Sequence, residues 1–422
     1  MTALVNIMNK KAAVLAADSA VTISQGGKTR IYNTANKIFR LSDNKPVGVM
    51  IYDSNQFMQT PWEVLFKLYR DKRSDKSFDT LMEYAEDFLY FMKSEKHCKS
   101  AENQLDWFTT ELSSHYYKVQ EIARQECEAV MGENPETDAQ QLFLERVKEN
   151  FRISNETFEE SGVCPEFESY SLRQLKAYGK KRFDDLMELC QEESVPGSRE
   201  EWEENFYNYI RSRSFNNETG IVFVGYGEDD IYPSMLPVHV AGLIDGHLRY
   251  YYDEVEAIDY DNSASIQPFA QTDTMISLMK GVHPTMYETV LDRLADAMLS
   301  TRTKIVETLK AEGASDALVK KAEEVPLDEI HDKFHDDMKA YIQDTFVDGI
   351  VDAVASFNIE DMVKMAESLI SITNLQRHFS SSEESVGGPV DVAVITKSEG
   401  FVWVNHKQWF QQNMNPQMME NG

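Results

Sequence analysis

Cysteine is scarce in this 422-residue chain: four occur, Cys98, Cys127, Cys164 and Cys190, none in a CxxC pair. That excludes a zinc knuckle and points to a reducing compartment. Positive charge is also in deficit, 42 basic against 71 acidic side chains, for a formal charge of −29. Such a charge repels phosphate backbones and anionic head groups, so neither nucleic acid nor a membrane surface is an expected partner. It suits an abundant or oligomeric protein and favours cationic peptide segments near any cavity. No window reaches the roughly 18 apolar residues of a membrane span. The opening MTALVNIMNKK lacks a charged segment followed by an apolar run, so the expected location is the cytoplasm. Gly225-Tyr226-Gly227 completes no GxGxxG, and His331 and His335 in HDKFHDD lack the glutamate of HExxH. They read as a turn and an exposed charged helix face, and no metal or organic cofactor is expected.

What is present begins with strands. Ala3 to Met8 and Ala12 to Ala17, separated by Asn9-Lys10-Lys11, are too continuously apolar to have a wet face. Gly26-Gly27 interrupts the next segment; Asn36 to Leu41 and Val47 to Tyr52 resume extended character. Thr60-Pro61-Trp62-Glu63 carries a helix start, with Pro61 at the first helical position. From about 71 to 217, charged residues interleave with Leu81, Tyr84, Phe88, Leu89 and Met92 at helical spacing, and Trp202, Phe206, Tyr207 and Ile210 form a core stripe. Strands return at Gly220 to Tyr226, Leu236 to Ile244 and His247 to Tyr252, with Asp245-Gly246 as a hairpin turn. A second helical stretch, about 274 to 374, is broken at Gly281, Pro284, Gly313 and Pro326. Strands Val390 to Thr396 and Gly400 to Asn405 close the chain before a flexible tail, 407–422. The order predicts an α+β fold with helices layered on mainly antiparallel sheets.

Chemistry points to Thr2. Methionine is normally trimmed before a small residue, which would leave Thr2 with a free α-amine of pKa near 8, able to take its own hydroxyl proton. Nucleophile and base would then reside on one residue. Asp18 ends a buried apolar strand and Lys37 opens another; a buried carboxylate needs a cation, and Lys37 would supply it.

The runs Thr2-Ala3-Leu4-Val5, Val14-Leu15-Ala16-Ala17-Asp18-Ser19-Ala20-Val21-Thr22 and Asn36-Lys37-Ile38-Phe39-Arg40-Leu41 resemble, in residue type and order, the signature of proteasome-type N-terminal-nucleophile hydrolases. The closing Val386-Gly387-Gly388-Pro389-Val390-Asp391-Val392-Ala393-Val394-Ile395, followed by Gly400 to Val404, is similar to that family's glycine pair and final hairpin. The resemblance, to a divergent bacterial-type member, implies a four-layer αββα sandwich interrupted by two large helical insertions, 71–217 and 276–375, with the core drawn from 1–70, 218–275 and 376–406.

It also implies roles. Thr2, Asp18 and Lys37 would form the catalytic group. Glu383 stands where the family has a supporting aspartate, and Val386 where it has a serine beside the terminal amine. Tyr52 stands where a glycine amide faces the scissile carbonyl; its N–H would serve, without glycine's freer φ. Val21, Thr22, Ala35, Met50 and Ser54 would line an apolar substrate pocket. The implied activity is a threonine-type peptidase acting through an acyl-enzyme on peptides or unfolded protein, in a homo-oligomeric ring; whether an unfoldase serves it is left open. A non-catalytic ring scaffold and an amidase for small acyl amides are the alternatives.

Overall fold

A computed structural model describes residues 2–25, 28–32, 35–73, 75–96, 98–133, 138–379 and 388–407. The chain divides into two compact units. One contains the described residues of 1–35, 258–396 and 402–407; the other contains those of 36–257 and 397–401. Both are α+β, as the strand and helix order predicts.

The first unit is built on strands Ala3–Asn9 and Ala13–Ala17, every residue of which is buried. Their antiparallel register pairs Leu4 with Ala17 and Met8 with Ala13. Strand Ala264–Ala270 adds on one side of Ala3–Asn9, and Asp391–Thr396 followed by Gly400–Asn405 on the far side of Ala13–Ala17, giving five strands. Alternation sends Ala3, Val5, Ile7, Val14 and Ala16 to one face, where they pack with Met362, Ala366 and Ile370 of helix Ile359–Phe379 and with Val354 of helix Asp348–Ser356. The small strand alanines let the helix approach closely. Asn9 and Lys11 of the hairpin turn bind the end of Asp348–Ser356: Asn9 Nδ2 donates to Val354 O at 2.9 Å and Lys11 Nζ to Phe357 O at 2.7 Å. A cation and an amide thus satisfy carbonyls at the negative end of the helix.

In the second unit, strands His247–Tyr252, Ser234–Ile244, Thr219–Gly225, Val47–Asp53 and Ile38–Arg40 lie side by side, with Glu256–Ala257 pairing on the start of Ser234–Ile244. Asp245 and Gly246, both at positive φ, make the hairpin turn as the sequence predicts. Rows Val49–Phe223–Leu236 and Ile51–Ile221–Val238 share one face and pack against helices Trp62–Arg73 and Leu81–Ser94. Thr80 and Glu83 form a reciprocal capping box on the latter helix. The first helix starts at Trp62, one residue later than expected: Pro61 pairs with Gln56 in a two-residue strand, where its missing N–H costs nothing.

Helices Ala101–Glu133, Ala139–Glu160, Lys180–Glu192 and Arg199–Arg211 gather a separate aromatic core around Trp202, Phe206 and Tyr209. The later helical stretch breaks where the sequence predicts: Asp273–Lys280 ends at Gly281 in the left-handed region, and Pro284 opens Pro284–Ala311. Two longer stretches of strand carry no clear mark in the sequence. A hairpin of Val21–Gln25 and Lys28–Tyr32 flanks Gly26-Gly27, and Ala264–Ala270 is a strand despite Pro268.

Candidate active site

The sheet of the first unit brings Thr2 and Asp18 together. Thr2 is 8% exposed at the entry to Ala3–Asn9, and its carbonyl accepts the Gln271 N–H at 3.0 Å. Asp18 is fully buried at the end of Ala13–Ala17. Its Oδ1 accepts the Ala3 N–H at 2.7 Å and its Oδ2 the Ala20 N–H at 3.1 Å, while its own N–H donates to Ala3 O at 3.1 Å. A buried carboxylate thereby clamps the peptide that follows Thr2, and two backbone donors offset part of its desolvation. Ser19 Oγ donates to Pro389 O at 2.7 Å, tying the Asp18 turn to the segment before the strand Asp391–Thr396.

Lys37 belongs to the second unit, buried just before Ile38–Arg40, where its carbonyl accepts the Ile51 N–H at 2.9 Å. Met50 is buried opposite Ile38 and Val222. Tyr52 lies opposite Gly220 with its ring across the glycine: a Cβ there would fall 1.9 Å from the ring, so any side chain at 220 would have to displace it. Ser54 follows the strand and donates its hydroxyl to Gln56 O at 2.9 Å. Glu383 and Val386 lie outside the described residues, as do the side chains of Val21 and Thr22, whose backbone is the strand Val21–Gln25.

A polar group that the sequence does not single out surrounds Tyr52. Register aligns Tyr52, Gly220, His239 and Tyr251 across four strands on one face. The His239 ring stacks on Tyr251 at 4.5 Å and meets Tyr52 edge-on at 6.2 Å. Its Nε2 is 3.2 Å from Asp253 Oδ2, and its Nδ1 is 3.3 Å from Glu218 Oε2, an ion-pair distance without hydrogen-bond alignment. Burial would lower the His239 pKa, but the two carboxylates outweigh it and raise the value above 6.5. Burial, then the carboxylates of Asp53, Asp253 and Glu218, push the Tyr52 phenol up, keeping it neutral. Asp53, at φ 66°, is raised by burial and by Glu218. No motif announces this group, because Glu218 and Asp253 reach His239 only through strand register.

His331 and His335 sit on helix Leu327–Ile342, each within 3.7 Å of its neighbouring aspartate. Among the described residues no group of three or more His, Cys, Asp or Glu side chains is placed to hold a metal ion. Nor is any helix among them long and apolar enough to cross a membrane.

Fold and site together define an α+β protein of antiparallel sheets with a buried aspartate clamping its first strand. No family model and no curated protein matches the chain. Among solved structures it is similar to a Gly-1 mutant of Anbu from Hyphomicrobium sp. strain MC1, at 8% identity and a TM-score of 0.27, covering 100% of this chain and 94% of that one.

Proposed function

We propose that this chain is a proteasome-like threonine-type hydrolase in which Thr2, freed by removal of Met1, attacks an amide carbonyl. What supports the reading most is the 2.7 Å hydrogen bond from the Ala3 N–H to Asp18, which fixes the backbone beside Thr2 on a wholly buried carboxylate. In the reaction the Thr2 amine takes the hydroxyl proton as Oγ attacks, then passes it to the leaving nitrogen as the C–N bond breaks. Water then attacks the resulting ester, giving its proton to the same amine, which returns it to Thr2 Oγ as the acyl C–Oγ bond breaks. The family resemblance assigns Lys37 as the cation that keeps this amine neutral and the Tyr52 N–H as the oxyanion donor. It also assigns unfolded polypeptide as substrate and a homo-oligomeric ring as the assembly.

Thr2, at 8% exposure, also suits the non-catalytic scaffold reading, because a nucleophile must be reached. Intact-mass measurement and an electrophile that captures both the hydroxyl and amine of a terminal threonine separate the two. Loss of Met1 with labelling of the wild type but not of Thr2→Ala is the expected result. Retention of Met1, or no labelling of a chain that has lost it, overturns the hydrolase.

A further inference from the structure

The second unit holds a cavity of about 350 Å³, lined by residues of helix Ala101–Glu133 and by the sheet end where Val47–Asp53 meets Thr219–Gly225. Its size lies within the usual range for small-molecule sites. One wall is aromatic: the Trp107 indole lies so close over Gly242 that a Cβ there would come within 2.4 Å of the ring. Other walls carry the carboxylates Glu111 and Glu218 with the amides Asn103 and Asn217.

The two oxygens of Glu111 face different surroundings. Oε2 takes the Tyr209 hydroxyl at 2.5 Å and stands 3.9 Å from Arg249 Nη1, whereas Oε1 takes the amide of Asn217, itself a cavity residue, at 3.3 Å. Arg249 shows what this environment accepts: its guanidinium is fully buried with the Tyr209 ring at 4.3 Å and the Phe215 ring at 4.5 Å. The cavity's own charged residues, Glu111 and Glu218, are both acidic; Arg249 stands 3.9 Å from Glu111 and His239 3.3 Å from Glu218, while Lys118 and Arg213 are engaged with Asn216 and the Tyr251 ring. The rim is built at a conformational cost, since Met58 and Gln59, both cavity residues, hold φ 45° and 67° without being glycine. The Leu243 N–H, 3.3 Å from Met58 Sδ, helps pin that loop.

We propose that this cavity binds a guanidinium group, stacked on Trp107 and paired with Glu218 and Glu111. A planar cation satisfies an indole face and a carboxylate at once, which a tetrahedral ammonium does less well. The site is independent of any chemistry at Thr2. Calorimetric titration of the full chain with agmatine and with N-acetyl-arginine amide tests it, the two probes distinguishing a free small molecule from an arginine carried on a polypeptide. At least one is expected to bind about tenfold more tightly than its neutral urea analogue. Glu218→Gln is expected to remove about tenfold in affinity while Thr2→Ala leaves it unchanged. Should Glu218→Gln not fold, as judged by its melting transition, Trp107→Leu is the second variant and is expected to lose a similar factor. No binding by the wild type, equal binding of the urea analogue, or undiminished binding by a folded variant overturns the proposal.

Discussion

Two helical regions with the same sequence pattern meet different fates. Arg199–Arg211 turns Trp202, Phe206, Tyr209 and Ile210 inward and buries all four, whereas Leu327–Ile342 is as clearly amphipathic and buries none of its residues. Ile330, Phe334 and Tyr341 of the latter stay 50%, 36% and 57% exposed. Periodicity of 3.6 states that a helix has an apolar stripe, not that the same unit covers it. In the first region four helices converge and aromatic rings fill the space, Trp202 lying 4.7 Å from Phe151 and 5.3 Å from Tyr116. In the second, Pro284–Ala311 buries only Val306. The first region therefore buries far more apolar surface per helix than Pro284–Ala311 and Leu327–Ile342 do.

The sharpest way to break that contrast is Trp202→Ala. The indole is fully buried, donates to Pro196 O at 3.3 Å, and is packed so closely that a Cβ on Gly197 would sit 2.7 Å from its Nε1. Its loss should cost about 3–5 kcal/mol, seen as a lower denaturation midpoint in urea. A cost under about 1 kcal/mol would mean that this core collapses around the gap.

Next in size is a pH effect confined to the same core. His115 is buried, its ring stacked on Tyr209 at 4.9 Å, and its Nε2 lies 2.7 Å from Asn205 Oδ1. The Asn205 amide nitrogen donates to Ser154 and Asn155, so its oxygen faces the ring and His115 must be the Nε2–H donor. Burial drives the His115 pKa from 6.5 down to about 4, and the positive charges of Lys118 and Arg249 add to the fall against the Asn205 hydrogen bond. Between those values the unfolded chain binds a proton that the folded chain refuses. Stability from this group is full above about pH 6.5, declines as pH falls, and levels off below about 4, a loss of order 3 kcal/mol. Urea unfolding of the wild type and of His115→Gln across that window reads it directly. Equal slopes for the two proteins would remove His115 as the cause.

The same contrast separates what the residues disclose from what they conceal. Ala3–Asn9 and Ala13–Ala17 are legible because a strand buried on both faces has no polar alternation to confuse it. Ala264–Ala270 is hidden by Pro268, which argues against a strand until the sheet order shows it at an edge, opposite Val5. Asp18 beside the start of the first strand follows from one hairpin register, Leu4 with Ala17. The Tyr52, His239, Glu218 and Asp253 group needs the registers of four strands, and the Glu111–Arg249 pair bridges helix and sheet across more than a hundred residues. Such long-range placements leave no local mark in sequence.

The smallest expected effect is the most direct test of the comparison. Phe334 is apolar at the right spacing for a core position, yet it is 36% exposed on a helix with no buried residue. If its stripe is uncovered in solution, only the part of the ring already covered within the chain is lost, and Phe334→Ser should cost about 1 kcal/mol in urea unfolding. The paired change Phe206→Ser in the first region, made at a fully buried ring in contact with Phe108 and Phe183, should cost several-fold more. A cost at Phe334 approaching that at Phe206, and rising with protein concentration, would show that association covers the second stripe, because a partner binding only the folded chain adds stability by mass action. The two helical regions would then differ in when their apolar faces are buried rather than in whether they are.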